Sequence, residues 1–312
     1  MRLYLAIFFT VYITLIVLGH LLFRIVALRS VSREKVIARA YEENGWDPYT
    51  YERELGWVEA QRERTETVTI HPPRTPLLSG RVIPAEGSHR WIVCCHDYGA
   101  DGASTGSYAA WFADRDANLL IPDLRGSGAS GGRTLGLGYA DHYDLHHWLR
   151  YIRERDDKAQ IVLFGIGSGA AASLFCAIDG EKVLGVVSDS SYAGLREAVM
   201  AHIMARLGAM SKVVTNFADT EYSLLNGLRT SWRRADLWLQ IHKCAVPVLL
   251  IHGEEDYFIP VRHFDVILQQ AGDCPITSWR VPGAGHAACC HTDPDKYWQA
   301  VSEFLYSLGW DE

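Results

Sequence analysis

From residue 65 onward the chain repeats one pattern, a short apolar run followed by a longer stretch with helical spacing, and few architectures accept it. The runs are Thr67–Ile70, Arg81–Ile83, Trp91–Cys95, Asn118–Ile121, Gln160–Phe164, Leu184–Ser188, Val246–Ile251 and Thr277–Val281. Most are too continuously apolar to keep one wet face, so they suit strands covered on both sides. Helical patterns lie between them, as at Asp141 to Arg155 and Ala170 to Ile178. Strands alternating with helices predict an α/β fold, a mostly parallel central sheet flanked by helices. From Ser190 to Ala245 there is no proline and no strand pattern, and Leu195, Val199, Ile203 and Leu207 recur at helical spacing. That stretch predicts an inserted helical layer, a cap of about residues 190–245; the plainer alternative is a helix pair packed on the side.

Ahead of this domain, Leu3 to Phe23 is a nearly unbroken apolar run, interrupted by threonines, Gly19 and His20. About 20 residues at helical rise span a bilayer core. A cleavable signal peptide fits less well, because Arg2 alone precedes the run and no small-residue cleavage site follows it. The expected organisation is a transmembrane anchor over 1–29, a helical connector over 30–64 and the α/β domain over 65–312. Arg24, Arg29, Arg33, Lys35 and Arg39 follow the apolar run, so a single-pass membrane protein is expected, with the positive-inside rule favouring a cytoplasmic domain. Seven cysteines, an odd count with no C-x-x-C pair, read as reduced thiols rather than a disulfide framework. A net charge of −7 gives no basic surplus, so a nucleic-acid partner is not expected.

Four local patterns each follow a strand candidate. They are His96-Asp97-Tyr98-Gly99, the stretch from Pro122 through Asp123, Arg125, Gly126 and Gly128 to Ser130, then Gly165-Ile166-Gly167-Ser168-Gly169, and last His252-Gly253-Glu254-Glu255-Asp256 with Gly283-Ala284-Gly285-His286. Functional groups in open α/β sheets gather beyond the C-terminal ends of the strands, so these segments converge. In this order they resemble the α/β-hydrolases, in particular the serine-aminopeptidase-like branch of esterases and peptidases. That branch carries H-G, D-x-R-G-x-G-x-S, G-x-S-x-G, H-G-x-x-D and G-x-G-H motifs, with triad order Ser, Asp, His. The resemblance spans about Trp91 to Leu308. It implies an ester or amide hydrolase with Asp256 as the acid, His286 as the base, the backbone N–H groups of Tyr98 and Ser168 as the oxyanion hole, and no cofactor or metal. Its ligand would be a small ester, an amide or a lipid-like molecule.

The resemblance breaks at the nucleophile. Gly165 and Gly169 fill the small flanking positions of the elbow, and the residue between them is Gly167, which has no side chain to attack a carbonyl. Ordinary serine hydrolysis is therefore expected to be lost or impaired, which makes the chain a candidate pseudoenzyme with a pocket used for binding. On this reading Gly167→Ser alone should create an esterase dependent on His286. The alternative is an active enzyme using Ser168 with His286 and Asp256, which requires a one-residue slip that puts β-branched Ile166 in a crowded flanking position. Asp97 stands where the family has glycine. Its carboxylate would oppose a developing oxyanion if it faced the site, whereas turned to solvent it would leave the Tyr98 N–H usable.

Two readings from other classes compete. Gly165-Ile166-Gly167-Ser168-Gly169-Ala170 also fits a dinucleotide-binding loop, with Asp189 roughly 20 residues on, although such loops normally occupy the first strand-helix unit. A metal could be held by His286, Cys289, Cys290 and His291 with Cys94, Cys95 and His96, but no spacing matches a zinc pattern.

Overall fold

The computed structural model describes residues 2–29 and 50–310. Its strands are β1 Glu66–Ile70, β2 Leu78–Ile83, β3 Arg90–Cys95, β4 Asn118–Asp123, β5 Gln160–Ile166, β6 Gly185–Asp189, β7 Val248–Gly253 and β8 Ile276–Val281. They form one sheet in the order β1-β2-β4-β3-β5-β6-β7-β8. β2 pairs antiparallel with β1 and β4, and the other pairs are parallel. Every apolar run anticipated from the sequence overlaps one of these strands, with Leu184 falling just before β6 and Val246 and Pro247 just before β7. The reason is burial: β4, β6 and β7 are buried at every position, whereas edge strand β8 is mostly half-buried or exposed.

The helices are α1 Arg2–Ala27, α2 Thr50–Ala60, α3 Gly106–Ala113, α4 Asp141–Arg155, α5 Ser168–Ile178, α6 Leu195–Leu207, α7 Met210–Asn226, α8 Arg262–Gln270, α9 Cys289–Thr292 and α10 Pro294–Ser307. One apolar layer, including Trp148, Leu149 and Phe175 from α4 and α5, covers one sheet face. The other layer includes Tyr108 and Phe112 from α3 with Tyr297 and Phe304 from α10. Residues 30–49 of the expected connector lie outside the described residues, and α2 follows them. The stretch without strands or proline contains α6, α7 and four short 3₁₀ turns between Leu228 and Lys243.

Helix α1 is long and apolar enough to cross a membrane, yet its last turns belong to the domain. Leu22, Phe23 and Ala27 are buried in the core. Its terminal carbonyls, which have no partner within the helix, are taken by the fold: the Tyr98 hydroxyl donates to Val26 O at 3.0 Å and Leu135 N–H donates to Ala27 O at 2.8 Å. Farther back, α1 runs beside α7. A Cβ on Gly19 would collide with Phe217, so glycine there permits the close approach, and His20 meets Glu221 at 2.9 Å.

The D-x-R-G-x-G-x-S stretch folds as a tight loop whose residues hold one another. Buried Asp123 accepts Gly102 N–H at 2.9 Å and Ala129 N–H at 2.7 Å. Gly128, at φ +49°, lies against that carboxylate where a Cβ would collide. Arg125 forms two bonds to Asp144, at 2.7 and 2.5 Å, and Ser130 accepts Ser79 N–H at 2.9 Å. Removing a buried carboxylate strands the N–H groups it serves. Asp123→Ala is therefore expected to cost about 3 kcal/mol or more in urea unfolding; a loss below about 1 kcal/mol would refute this structural role.

Candidate active site

The site is built on the turn from β5 into α5. Gly167 makes that turn at φ +52°, ψ −113°, a left-handed backbone that side chains resist. Its N–H donates to Asp189 O at 2.8 Å, which ties the turn to the end of β6. A Cβ on Gly165 would collide with the backbone of Gly169 and Ala170, and one on Gly169 with the carbonyl oxygens of Cys95 and His96. These glycines let α5 press against the end of β3, from which Asp97 follows.

Asp97 enters the site. Ser168 N–H donates to its Oδ1 at 2.7 Å, and His286 Nε2 bonds its Oδ2 at 2.9 Å. A Cβ built on Gly167 would fall on the Asp97 carboxylate itself. The backbone behind Asp97 is held by His96, whose Nδ1 donates to Asp97 O at 2.8 Å while Nε2 accepts Leu124 N–H at 3.0 Å. Those two bonds fix His96 as one neutral tautomer.

His286 Nδ1 bonds Asp256 Oδ2 at 2.7 Å. The other Asp256 oxygen accepts Phe258 N–H at 2.9 Å and Ile259 N–H at 2.7 Å. His252 supports this loop by donating to Ile259 O at 2.8 Å. The Phe258 ring covers His286 with centroids 4.8 Å apart. With a carboxylate on each nitrogen, His286 must donate twice, and only the imidazolium can do so. Burial opposes that charge, but Asp256 and Asp97 outweigh it and hold the His286 pKa well above its ordinary value. Burial likewise acts to raise Asp256, and the charge of His286 with its hydrogen bonds overcomes it, so that carboxyl is held below the usual range.

Of the residues expected from the sequence, His286 and Asp256 meet directly, Gly167 makes the turn, and Ser168 offers its N–H to Asp97. His286 bonds Asp97 rather than the Ser168 hydroxyl. The Tyr98 hydroxyl, distinct from the backbone N–H expected at the oxyanion hole, reaches α1. Asp97 turns toward the site, not to solvent, because the missing side chain of Gly167 leaves it room. The expectation that Gly167→Ser alone restores a nucleophile therefore needs correction: the new side chain and Asp97 require the same space.

The competing readings lose their groups. The helix N-terminus that would hold a pyrophosphate already binds Asp97, and Asp189 is buried and bonded to Ser190 and Tyr297. Cys94 and Cys95 pack into the separate layers on opposite faces of the sheet, and both nitrogens of His286 are engaged, so the proposed cysteine-histidine metal set does not converge. The cavity left beside Asp97 and Ser168 is about 10 Å³, room for about one water. A larger cavity of about 450 Å³, between Ile161, Val183, Lys243 and Val246, lies at the opposite, N-terminal ends of the strands.

A mostly parallel eight-stranded sheet, the glycine turn after β5 and a His-Asp pair beyond β7 and β8 define the α/β-hydrolase fold. Solved structures agree. An esterase from Pyrococcus furiosus superposes with a TM-score of 0.65 at 18% identity, over 80% of this chain and 92% of that one. The α/β hydrolase GrgF from Penicillium sp. sh18 gives 0.62 at 15% identity, over 77% and 97%. A putative lipase from Acinetobacter baumannii gives 0.59 at 13%, over 84% and 96%. Among sequences, YqkD of Bacillus subtilis is 25% identical over 223 residues, covering 70% of this chain and 72% of the relative. YfhR of Escherichia coli K12 is 23% identical over 231 residues, covering 72% of each. No protein-family model matches the chain.

The steric conflict is measurable. Gly167→Ser is expected to lower stability by about 3 kcal/mol through collision and backbone strain, and adding Asp97→Gly should recover at least about 1 kcal/mol of it. Simple additivity of the two substitutions in thermal denaturation would mean that their side chains do not compete.

Proposed function

We propose that this chain is a membrane-anchored protein of the α/β-hydrolase fold in which serine hydrolysis has been lost and the site is closed by its own Asp97. The observation that carries this reading is the position of the Asp97 carboxylate, one oxygen on the Ser168 N–H and the other on His286. In a serine hydrolase those two donors face the oxyanion and the nucleophile or attacking water. Asp97 engages both as the carboxylate of an acid product would, and so acts as a built-in product mimic. An imidazolium cannot accept a proton, which disarms His286 as a general base, and Gly167 supplies no nucleophile.

Binding remains open to a ligand that displaces Asp97. An imidazolium and an amide N–H favour an anion there, so a small or lipid-like carboxylate is the expected class. Membrane attachment through residues 3–23 is supported by the exposed apolar length of α1. The basic residues that follow it favour a cytoplasmic domain. Where α1 runs beside α7, the Tyr12 ring meets Phe217 at 5.8 Å.

Fluorophosphonate labelling of the full chain in detergent, read by peptide mass spectrometry, tests the reading. The natural protein should carry no label on Ser168, and the Asp97→Gly/Gly167→Ser double variant should be labelled at the introduced serine in a His286-dependent way. Labelling of Ser168 in the natural protein would establish instead an active hydrolase with a shifted elbow.

A further inference from the structure

We propose that His142, His146 and Asp179 form a site for a divalent zinc-class cation on the face of α4 and the end of α5. His142 and His146 stand four residues apart on α4, which stacks them on one side of the helix. Asp179 follows the last residue of α5 and points one carboxylate oxygen between them. Its Oδ2 lies 3.3 Å from His142 Nε2 and 3.0 Å from His146 Nε2. One donor atom from each residue fits within 4.8 Å of the other two. A tetrahedron with metal–ligand bonds of about 2.0–2.1 Å has edges of about 3.3–3.4 Å, which the two Asp179–histidine spacings approach, and the two imidazoles would draw together onto the ion.

The outer contacts point the same way. Glu181 Oε1 takes the other nitrogen of His146, Nδ1, at 2.7 Å, and Arg153 holds the second Glu181 oxygen at 2.6 Å. A carboxylate on the far nitrogen is the usual support of a metal-binding histidine, because it fixes the tautomer and aims the Nε2 lone pair inward. His142 is buried, and its Nδ1 has no hydrogen-bond partner among the described residues, while its Nε2 faces Asp179. Asp179 is 41% exposed, which leaves solvent access for entry of the ion and for a water as fourth ligand. Two imidazoles and one carboxylate favour zinc over calcium or magnesium, which prefer all-oxygen sites. The ion would clamp the C-terminal end of α5, the helix whose first N–H holds Asp97, to α4.

The test is zinc titration of the full chain in detergent, purified without a polyhistidine tag, against a competing chromophoric chelator. The expected result is one equivalent bound with micromolar or tighter affinity and a raised melting temperature. His146→Ala and Asp179→Asn should abolish binding, and Glu181→Gln, which leaves all three ligands in place, should weaken it about 10–100-fold. Absence of binding to the natural chain, or binding that survives both His146→Ala and Asp179→Asn, would overturn the proposal. If the alanine variant does not fold, the Glu181→Gln affinity decides: an unchanged value counts against the site.

Discussion

An imidazole bonded by a carboxylate on each side, at 2.7 and 2.9 Å, organises the strand ends of this protein. The pair His286–Asp256 alone would be a base with its orienting acid. A second carboxylate at Nε2 changes the chemistry, because the ring must hold both protons to satisfy both neighbours. Asp97 can be that second carboxylate only because Gly167 has no Cβ and because Gly165 and Gly169 bring α5 against the end of β3. The glycine at the turn and the placement of Asp97 are thus one structural arrangement seen from two positions.

The same loop couples the site to the apolar N-terminal helix. Tyr98, next to Asp97, bonds the last carbonyls of α1, and Arg29 just beyond α1 reaches Gly128 O and Ser130 O in the loop after β4. That loop is in turn held by Asp123 and by the Arg125–Asp144 pair. The end of the helix proposed to meet the membrane and the segment that closes the site therefore share one hydrogen-bonded framework.

Much of this was legible in the sequence for physical reasons. The strands announce themselves because both sheet faces are buried, which forces continuous apolar runs. The glycine turn and the His-Asp pair are legible as motifs because close backbone approach and a hydrogen-bonded base each restrict residue type locally. Asp97 was visible as a departure, but not its direction, since that depends on an empty volume at Gly167, 70 positions later in the chain. The docking of α1 was hidden in a similar way: an apolar run long enough for a bilayer has the same composition as one half-packed on α7. His142 and His146 share a helical face in any reading of α4, yet their partner Asp179 comes into reach only when α4 packs on α5.

The central claim, that Asp97 occupies the site and keeps His286 charged, is tested most directly by NMR of histidine ring carbons in the full chain. The His286 signal would be assigned with a His286→Gln variant. The account predicts that this ring titrates well above the ordinary histidine value and that Asp97→Asn brings its titration back toward that value. A His286 ring that titrates near the ordinary histidine value in the natural protein, unchanged by Asp97→Asn, would contradict it.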